Sequence, residues 1–260
     1  MADRTTAEWD GARYDRLSDP QARWGRAVLD RLELSGDETV LDAGCGSGRV
    51  TEELLARLAR GRVVALDASE SMLDQARVRL SAAGRVRFVR ADLLELGPDD
   101  LAGDAPVDAV FSTATFHWVT DHDRLFKNLA RVLRPAGQLV AQCGGQGNIE
   151  GVIRAVRSLG VERAGTWEYS SPEDTQRRLE LAGFVDIQTW SHPEPTPFPT
   201  STTLADFLET VCLREHLATL PPERRRGFAE QVAAAMPESL IDYVRLNIVA
   251  RRAQEPAGTR

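Results

Sequence analysis

Strand-like and helix-like segments alternate over residues 39–145 of this chain, and this alternation constrains its fold more than any other feature. Short apolar runs predict strands at residues 39–44, 62–67, 86–92, 107–112 and 138–145. Apolar positions at helical spacing predict helices at residues 47–61, 69–84 and 121–137, the last ending at Pro135. Strands alternating with helices form βαβ units, so we expect a doubly wound α/β fold built on a largely parallel sheet.

The remainder of the chain predicts further helices and two more strands. Helices are expected at residues 148–160, 171–184, 203–220 and 222–236, and strands at residues 184–192 and 242–252. The last strand alternates polar and apolar residues, which suits an antiparallel strand with one less buried face. The proline-rich stretch PEPTPFPTS (193–201) predicts a connector, and the two helices after it predict a cap over the sheet.

Composition narrows the classes of protein to which the chain can belong. A net charge of -7 over 260 residues excludes a whole-chain basic field for nucleic acid. No apolar run reaches the roughly 18 residues of a membrane span, and the charged N-terminus has no apolar signal segment. Three well separated cysteines lack metal-ligand spacing. We therefore expect a cytoplasmic protein, monomeric or homodimeric, that acts on a small molecule without metal, membrane or nucleic acid.

A glycine-rich turn follows the first predicted strand, in VLDAGCGSGRV (40–50). Such turns let the main chain approach a ligand closely. The dinucleotide fingerprint G-x-G-x-x-G would need its third glycine where Arg49 stands, and no G-K-[ST] follows for a phosphate loop. Gly44, Gly46 and Gly48 instead form G-x-G-x-G, which disfavours a nicotinamide or flavin oxidoreductase.

Three acids stand at or near the ends of the first three predicted strands: Asp42, Asp67 and Asp92. Ligands of open parallel sheets bind at the carboxyl ends of the strands. Asp67 can accept both hydroxyl hydrogens of a ribose, and Asp92 can accept from an amine such as adenine N6. Asp42 adds negative charge, which repels a pyrophosphate and suits a ligand with a cationic end. Alternatively, Asp67 and Asp92 only cap the helices that follow.

This combination resembles the class I S-adenosylmethionine (SAM) methyltransferases, through VLDAGCGSGRVT, the aspartate of VVALDASESML, and VRFVRADLLEL. The resemblance is specific over residues 30–145. It implies a Rossmann-like seven-stranded sheet whose last strand is antiparallel, with glycines against the methionine part of SAM and Asp42 on its ammonium side. The cofactor-binding residues it implies are Asp42, Gly44, Cys45 (through its backbone), Gly46, Gly48, Asp67, Ala68, Met72, Asp92, Leu93 and Ser112.

The stretch STATFHWVTDHDRLFKNLARVLRPAG resembles the trans-aconitate and juvenile-hormone-acid methyltransferases, which methylate carboxylates of small molecules. The N-terminal pattern Trp9, Tyr14, Ser18, Gln21 and Trp24 is similar to the segment that folds over the cofactor in that group. By that match, Gln21 and Trp118 hold the substrate carboxylate. The group usually has LRPGG, where this chain has Ala136 in place of the first glycine.

With this resemblance we divide the chain into an N-terminal helical lid (1–30), a SAM-binding core (31–192), a helical cap insertion (193–240) and the final core strand (241–252). Several residues keep a second interpretation. Trp9, Tyr14 and Trp24 could be an aromatic face packed on the sheet. His117 could be a base or an orienting residue, and His122 is expected in solvent. ERRRG (223–227) is expected to be a solvated helix face, although one of its arginines could clamp an acidic substrate.

The predicted reaction is in-line displacement of the sulfonium methyl by a nucleophile. A carboxylate is already ionised at pH 7, so it needs no general base. An amine, phenol or carbon nucleophile would need proton removal, with His117 as the first candidate. The alternatives are therefore an N-, C- or phenol O-methyltransferase of a small metabolite, or a SAM-binding module without catalysis.

Overall fold

One mixed sheet of seven strands organises the computed structural model, which describes residues 19–161 and 167–254, with side chains from residue 23 onward. The strands are β1 (Thr39–Ala43), β2 (Arg62–Asp67), β3 (Val86–Arg90), β4 (Val107–Thr113), β5 (Leu133–Gly144), β6 (Phe184–Pro197) and β7 (Leu240–Arg252). The helices are α1 (Asp19–Leu29), α2 (Arg49–Arg57), α3 (Glu70–Arg79), α4 (His122–Val132), α5 (Glu150–Ser158), α6 (Pro172–Leu181), α7 (Ser201–Phe207), α8 (Arg214–Ala218) and α9 (Pro222–Ala235). A π-helical turn, Leu208–Cys212, joins α7 to α8.

The strand order is β3-β2-β1-β4-β5-β7-β6. Strands β1 to β5 pair in parallel, and β7 lies antiparallel between β5 and β6. This confirms the predicted α/β fold with a seven-stranded sheet and an antiparallel last strand. The order reverses at β1 and β4, so the glycine turn after β1 opens at the switch point where ligands of such sheets bind.

Strand β6 is longer than predicted, and the interpretation of PEPTPFPTS as a connector was wrong for its first half. The strand continues through Pro193, Pro195 and Pro197, and these pair with Val244, Asp242 and Leu240 of β7. Proline is tolerated because β6 lies at the edge of the sheet. The helices of the predicted cap therefore begin at α7, whereas its predicted boundary at residue 193 lies inside a strand. The division into lid, core and cap itself stays a prediction.

The helix predicted to stop at Pro135 ends earlier, at Val132, and β5 begins at the next residue. The residue before a proline avoids the helical region, so Arg134 cannot continue α4. Ala136 has φ +59°, a left-handed conformation that glycine adopts at lower cost. This geometry accounts for the glycine that the resembling group has at this position.

Helices cover both faces of the sheet. Leu29 of α1 and Leu54 of α2 pack with Val40 and Phe111 on one face. On the other face, Phe126 and Leu129 of α4 pack with Leu41 and Val110. A further cluster joins Trp24 and Tyr243 to α5, α7 and α9. Within the described parts of the chain, every helix is too short or too polar to cross a membrane.

Candidate active site

A cavity of about 670 Å³ opens where β1, β2 and β4 end. This volume falls in the range of roughly 300–1,000 Å³ that is usual for small-molecule and cofactor sites. One end, formed by the glycine turn and the strand-end acids, is lined by Gly44, Gly46, Asp67, Ala68, Ser69, Met72, Asp92 and Leu93. We call this the cofactor end. The other, the aromatic end, is lined by Trp24, His117, Trp118, Asn148, Trp167, Tyr169, Tyr243 and Arg245.

The glycine turn is fixed by close contacts that exclude larger side chains. A Cβ on Gly44 would lie 2.2 Å from Oγ1 of Thr115, and Gly44 has φ +86°. Gly48, with φ +81°, immediately precedes α2, and a Cβ there would press on Ala76. A Cβ on Gly46 would meet nothing within 4 Å. Two of the glycines therefore serve the close packing of the turn, whereas Gly46 leaves bare backbone beside the cavity.

Asp67 ends β2 and lies against the same turn. Its Oδ2 accepts the N–H of Gly46 at 2.9 Å, and its Oδ1 accepts the N–H of Ser69 at 2.9 Å. A carboxylate has about four acceptor positions, so it can also receive donors from a ligand. Oδ1 of Asp92 accepts the N–H of Leu94 at 2.9 Å. Both acids therefore order their local backbone and also line the cavity.

Four of the predicted cofactor residues lie behind the cavity wall: Asp42, Cys45, Gly48 and Ser112. Asp42 is 2% exposed and accepts the hydroxyl of Thr51 at 2.7 Å. Burial raises its pKa to about 7, and the charge of Asp67 adds to the rise. Ser112 donates to the carbonyl of Ala43 at 2.6 Å. These contacts brace the turn from beneath.

His117 lies in a short 3₁₀ helix after β4, at the start of the aromatic end. Its Nδ1 accepts the N–H of Gly144 at 3.3 Å. Burial, together with the positive charge of Arg245 and the neighbouring His122, lowers the pKa of His117 well below its ordinary value. The ring is therefore neutral, and with Nδ1 as an acceptor its proton resides on Nε2. In this state Nε2 of His117 carries the N–H, and the choice between a base and an orienting residue stays a prediction.

Stacked rings continue the wall from His117. The His117 ring lies 5.9 Å from that of Tyr169, which is stacked 5.8 Å from Trp167. Trp118 meets Trp167 edge-on at 6.1 Å. Burial raises the pKa values of Tyr169 and Tyr243, so both phenols keep their protons at neutral pH. The wall therefore combines apolar ring faces with polar donors, as a site for a small polar molecule does.

Arg245 of β7 is a cavity residue that the sequence analysis did not single out. It is 2% exposed, and its guanidinium carbon lies 4.5 Å from the ring centroid of Trp24. Its Nε donates to Oε1 of Gln142 at 3.3 Å. The available signal was Arg245 among the alternating polar and apolar residues of DYVRLNIVARR, but the same pattern also fits an exposed strand face. The packing of Trp24 from α1 over Tyr243 and Arg245 buries this face, and that contact joins segments far apart in the chain.

The structure describes only some of the N-terminal residues that the sequence assigns to the lid. Trp9, Tyr14 and Ser18 lie outside the described residues, and Gln21 is described only as part of the α1 backbone. Trp24 is 6% exposed, lines the cavity and meets Tyr243 edge-on at 5.0 Å. Trp24 is therefore packed in a core and also forms part of the cavity wall, while its role as a lid over the cofactor stays a prediction.

The structure places His122 differently from its prediction and leaves ERRRG outside the cavity lining. His122, expected in solvent, is 3% exposed and lies 2.9 Å from the carbonyl of Phe116 and 3.2 Å from the Ser170 hydroxyl. It is buried because α4 packs its first turn against the 3₁₀ helix. In ERRRG, Arg226 pairs with Asp206, with Glu209 at 3.5 Å and with Glu230 at 2.7 Å. That arginine joins the cap helices and does not line the cavity.

Comparisons with known proteins also indicate a methyltransferase. A family model described as a methyltransferase domain matches residues 40–137. A trans-aconitate 2-methyltransferase of Azoarcus sp. strain BH72 is 39% identical, over 94% of this chain and 99% of that protein. Another from Paracidovorax citrulli is 29% identical, over 94% of this chain and 98% of that protein.

A solved structure adds a likeness in fold. Phosphoethanolamine N-methyltransferase 2 of Haemonchus contortus, in complex with phosphomonomethylethanolamine and S-adenosylhomocysteine, matches with a TM-score of 0.61. The match is 19% identical and covers 94% of this chain and 57% of that one. At that identity the likeness extends to the fold alone.

Proposed function

This chain belongs to the class I SAM-dependent methyltransferases, in the family of the trans-aconitate 2-methyltransferases, and we propose that it transfers the methyl group of SAM to a carboxylate of a small organic acid. The product is a methyl ester and S-adenosylhomocysteine. Trans-aconitate is the first acceptor to test, because the relatives that match nearly the whole chain carry its name.

The cofactor end of the cavity fits SAM by the chemistry of its groups. Asp67 offers acceptor positions to the ribose hydroxyls, and Asp92 offers one to the adenine amine. Gly46 provides backbone that a ligand can approach closely, since a Cβ there would meet only open space. Asp42 lies beneath the turn on the side proposed for the ammonium group, and a cation bound there would favour its ionised form. Bound SAM supplies an electrophilic methyl group on sulfur.

The observation that carries the proposed acceptor is Arg245, a buried cation in the wall of the aromatic end. A guanidinium matches a carboxylate in charge and in planar geometry, and the interaction is strong where water is excluded. The same cation disfavours a positively charged amine. His117 adds a donor at Nε2 in the same wall, and we propose that Trp118 and Gln21 complete the carboxylate site.

The chemistry requires alignment more than proton transfer. The acceptor carboxylate is ionised at neutral pH, so neutral His117 has to orient it and need not take a proton. Holding the two reactants in line can lower the barrier by roughly 7–11 kcal/mol in favourable cases. A phenol or amine acceptor would instead need a base, for which a ring that already accepts at Nδ1 is poorly suited.

The test is a methyl-transfer screen with tritiated SAM over small acids, amines and phenols. We expect a small acid to be esterified, with a rate at saturating SAM that stays flat between about pH 6.5 and 8.5. Arg245→Gln should raise the KM for the acid about tenfold or more, because the partner charge is lost from a buried site. An amine or phenol turned over in place of every acid, at a rate rising through this range, would establish the alternative reaction.

Arg251→Gln is the matched control for that substitution. Arg251 lies on the same strand and face, but it pairs with Glu33 away from the cavity, at 2.6 Å. We expect its KM for the acid to equal that of the parent enzyme. Binding of S-adenosylhomocysteine should be unchanged in both variants, since neither residue belongs to the cofactor end. An equal rise of KM in both variants would remove the support that Arg245 gives to the proposal.

A further inference from the structure

We infer that Gln142 and Asn247 are positioning residues that hold Arg245 in the orientation that receives the acceptor carboxylate. The inference rests on the proposed function, in which Arg245 binds that carboxylate. Neither amide lines the cavity, so both would act only through Arg245.

The register of the sheet brings the three side chains together. Gln142 of β5 is the direct antiparallel partner of Asn247 of β7, and Arg245 lies two residues before Asn247 on the same face. Gln142 Nε2 donates to Asn247 Oδ1 at 2.8 Å, and Arg245 Nε donates to Gln142 Oε1 at 3.3 Å. The three side chains are at most 3% exposed. A continuous chain of hydrogen bonds therefore connects Asn247 through Gln142 to Arg245 in the cavity wall.

Arg31 determines the orientation of the side-chain amide of Asn247. Its Nη1 donates to Asn247 Oδ1 at 2.7 Å, beside the donation from Gln142. Asn247 Nδ2 in turn faces the carbonyls of Trp190 at 3.2 Å and Arg245 at 3.0 Å. A reversed Asn247 amide would direct its N–H groups at the Arg31 cation and its oxygen at these carbonyls. With Asn247 fixed, Gln142 has to direct its oxygen towards Arg245.

Two contacts together restrict the guanidinium of Arg245. The ring of Trp24 lies across it at 4.5 Å from the guanidinium carbon, and the Gln142 oxygen holds its Nε. A stacked face and a bonded edge together fix both the plane and its rotation. An arginine that is already oriented binds a carboxylate without losing side-chain entropy at that moment. In their positioning role, Gln142 and Asn247 would hold Arg245 in its binding orientation before the carboxylate arrives.

The experiment compares Gln142→Met with the matched control Gln138→Met. Gln138 lies four residues earlier on the same strand, and it bonds the backbone of Glu33 at 3.0 and 2.8 Å, away from the cavity. Calorimetry with trans-aconitate on enzyme loaded with S-adenosylhomocysteine gives the Kd of the acid, and turnover gives KM and kcat. We expect Gln142→Met to raise Kd and KM about tenfold, because a hydrogen bond to a charged group is lost. Gln138→Met should leave both at the parental value.

A double-mutant cycle separates positioning from a merely structural role. If Gln142 acts through Arg245, then Gln142→Met should change the acid Kd little in an Arg245→Gln background. Equal changes in both backgrounds would overturn the inference, as would a parental Kd in a folded Gln142→Met enzyme. Should that variant fail to fold, Gln142→Glu, which has the same size, takes its place in the comparison. Its carboxylate would neutralise Arg245, so the Kd should rise, and a parental Kd would contradict the inference.

The same measurements distinguish failure of the inference from failure of the proposed function. A parent enzyme that binds trans-aconitate but methylates no acid would contradict the proposed reaction, while the Kd comparison would still decide the role of Gln142. A parent that binds S-adenosylhomocysteine but neither trans-aconitate nor any other small acid would overturn both. Parental binding of S-adenosylhomocysteine in each variant shows that the cofactor end is intact.

Discussion

At the scale of single residues, the acids that follow successive strands differ in depth and therefore in chemistry. Asp67 and Asp92 line the cavity, whereas Asp42 is buried beneath the turn and bonds Thr51 of α2. Only the carboxylates at the cavity can reach a ligand directly, whereas Asp42 supports the turn from beneath.

The buried position of Asp42 makes stability depend on pH. Its pKa is raised from an ordinary value near 3.8 to about 7, chiefly by burial. Between these values the folded protein holds the proton and the unfolded chain releases it, so the free energy of unfolding falls as pH rises. In Asp42→Asn this loss should be absent. We expect the stability of the parent relative to the variant to fall by roughly 2–4 kcal/mol between pH 4 and pH 8.

Urea unfolding of the protein without cofactor, at several pH values, measures that difference. The amide introduced by Asp42→Asn keeps an oxygen that can accept from Thr51, so the variant should fold. Asp99→Asn on the exposed surface is the control for a substitution that only removes a charge. A difference between parent and Asp42→Asn that is constant from pH 4 to pH 8 would show that Asp42 does not titrate in this range.

How far the site could be predicted depends on whether a residue's role is local. The strand-end position of Asp67 and the glycine turn are local patterns, and the structure places both at the cavity. The approach of Ser170 to His122 and that of Gln142 to Arg245 depend on segments far apart in the chain. Gln142 and Arg245 are 103 residues apart. No spacing within one segment indicates that such residues meet.

At the scale of elements, strand β6 illustrates how position in the sheet overrides local propensity. Pro193, Pro195 and Pro197 suggested a connector because proline cannot donate to a ladder. They occur at every second position, so the missing N–H groups all face the outer edge. The residues between them, Glu194 and Thr196, are left to bond β7. An edge with alternate prolines also resists pairing with other chains.

We expect a proline moved by one position to break this strand. Glu194→Pro should lower the free energy of unfolding by roughly 1–3 kcal/mol more than Glu194→Ala, because a β7 carbonyl loses its partner. Both variants lose the ion pair with Arg23, so that contribution cancels. Pro195→Ala restores only an outward N–H and should change stability by less than about 1 kcal/mol. Equal losses for Glu194→Pro and Glu194→Ala would contradict the assigned register.

At the scale of the whole molecule, the cavity lies between the sheet and two groups of helices that the sequence separates widely. Trp24 comes from α1, whereas Val211, Cys212 and Arg214 come from the turn and helix that follow α7. Amphipathic spacing predicted the helices of the second group because it is local, whereas the helical N-terminal segment was implied by the family resemblance. Their meeting over one cavity follows from β7, which returns the chain between β5 and β6 and carries Tyr243 beneath Trp24.

This arrangement favours the proposal that the N-terminal segment and the cap close over bound cofactor and exclude water. Closure orders side chains at an entropic cost, so the segments should be less protected without ligand. We expect S-adenosylhomocysteine to slow amide hydrogen exchange in residues 19–29 and 208–218. Helix α6, which contributes no residue to the cavity lining, should show little change and is the internal control.

Truncation tests the same closure independently. Deleting residues 1–18 leaves Trp24 and its contact with Tyr243 in place, so global stability should change little. Turnover should fall by far more, because the segment proposed to cover the reacting groups is lost and water can enter. The melting temperature and kcat/KM of the truncated enzyme are compared with those of the parent. Full activity after truncation, together with exchange that does not respond to S-adenosylhomocysteine, would leave α1 as a packed core helix and Trp24 as a fixed wall.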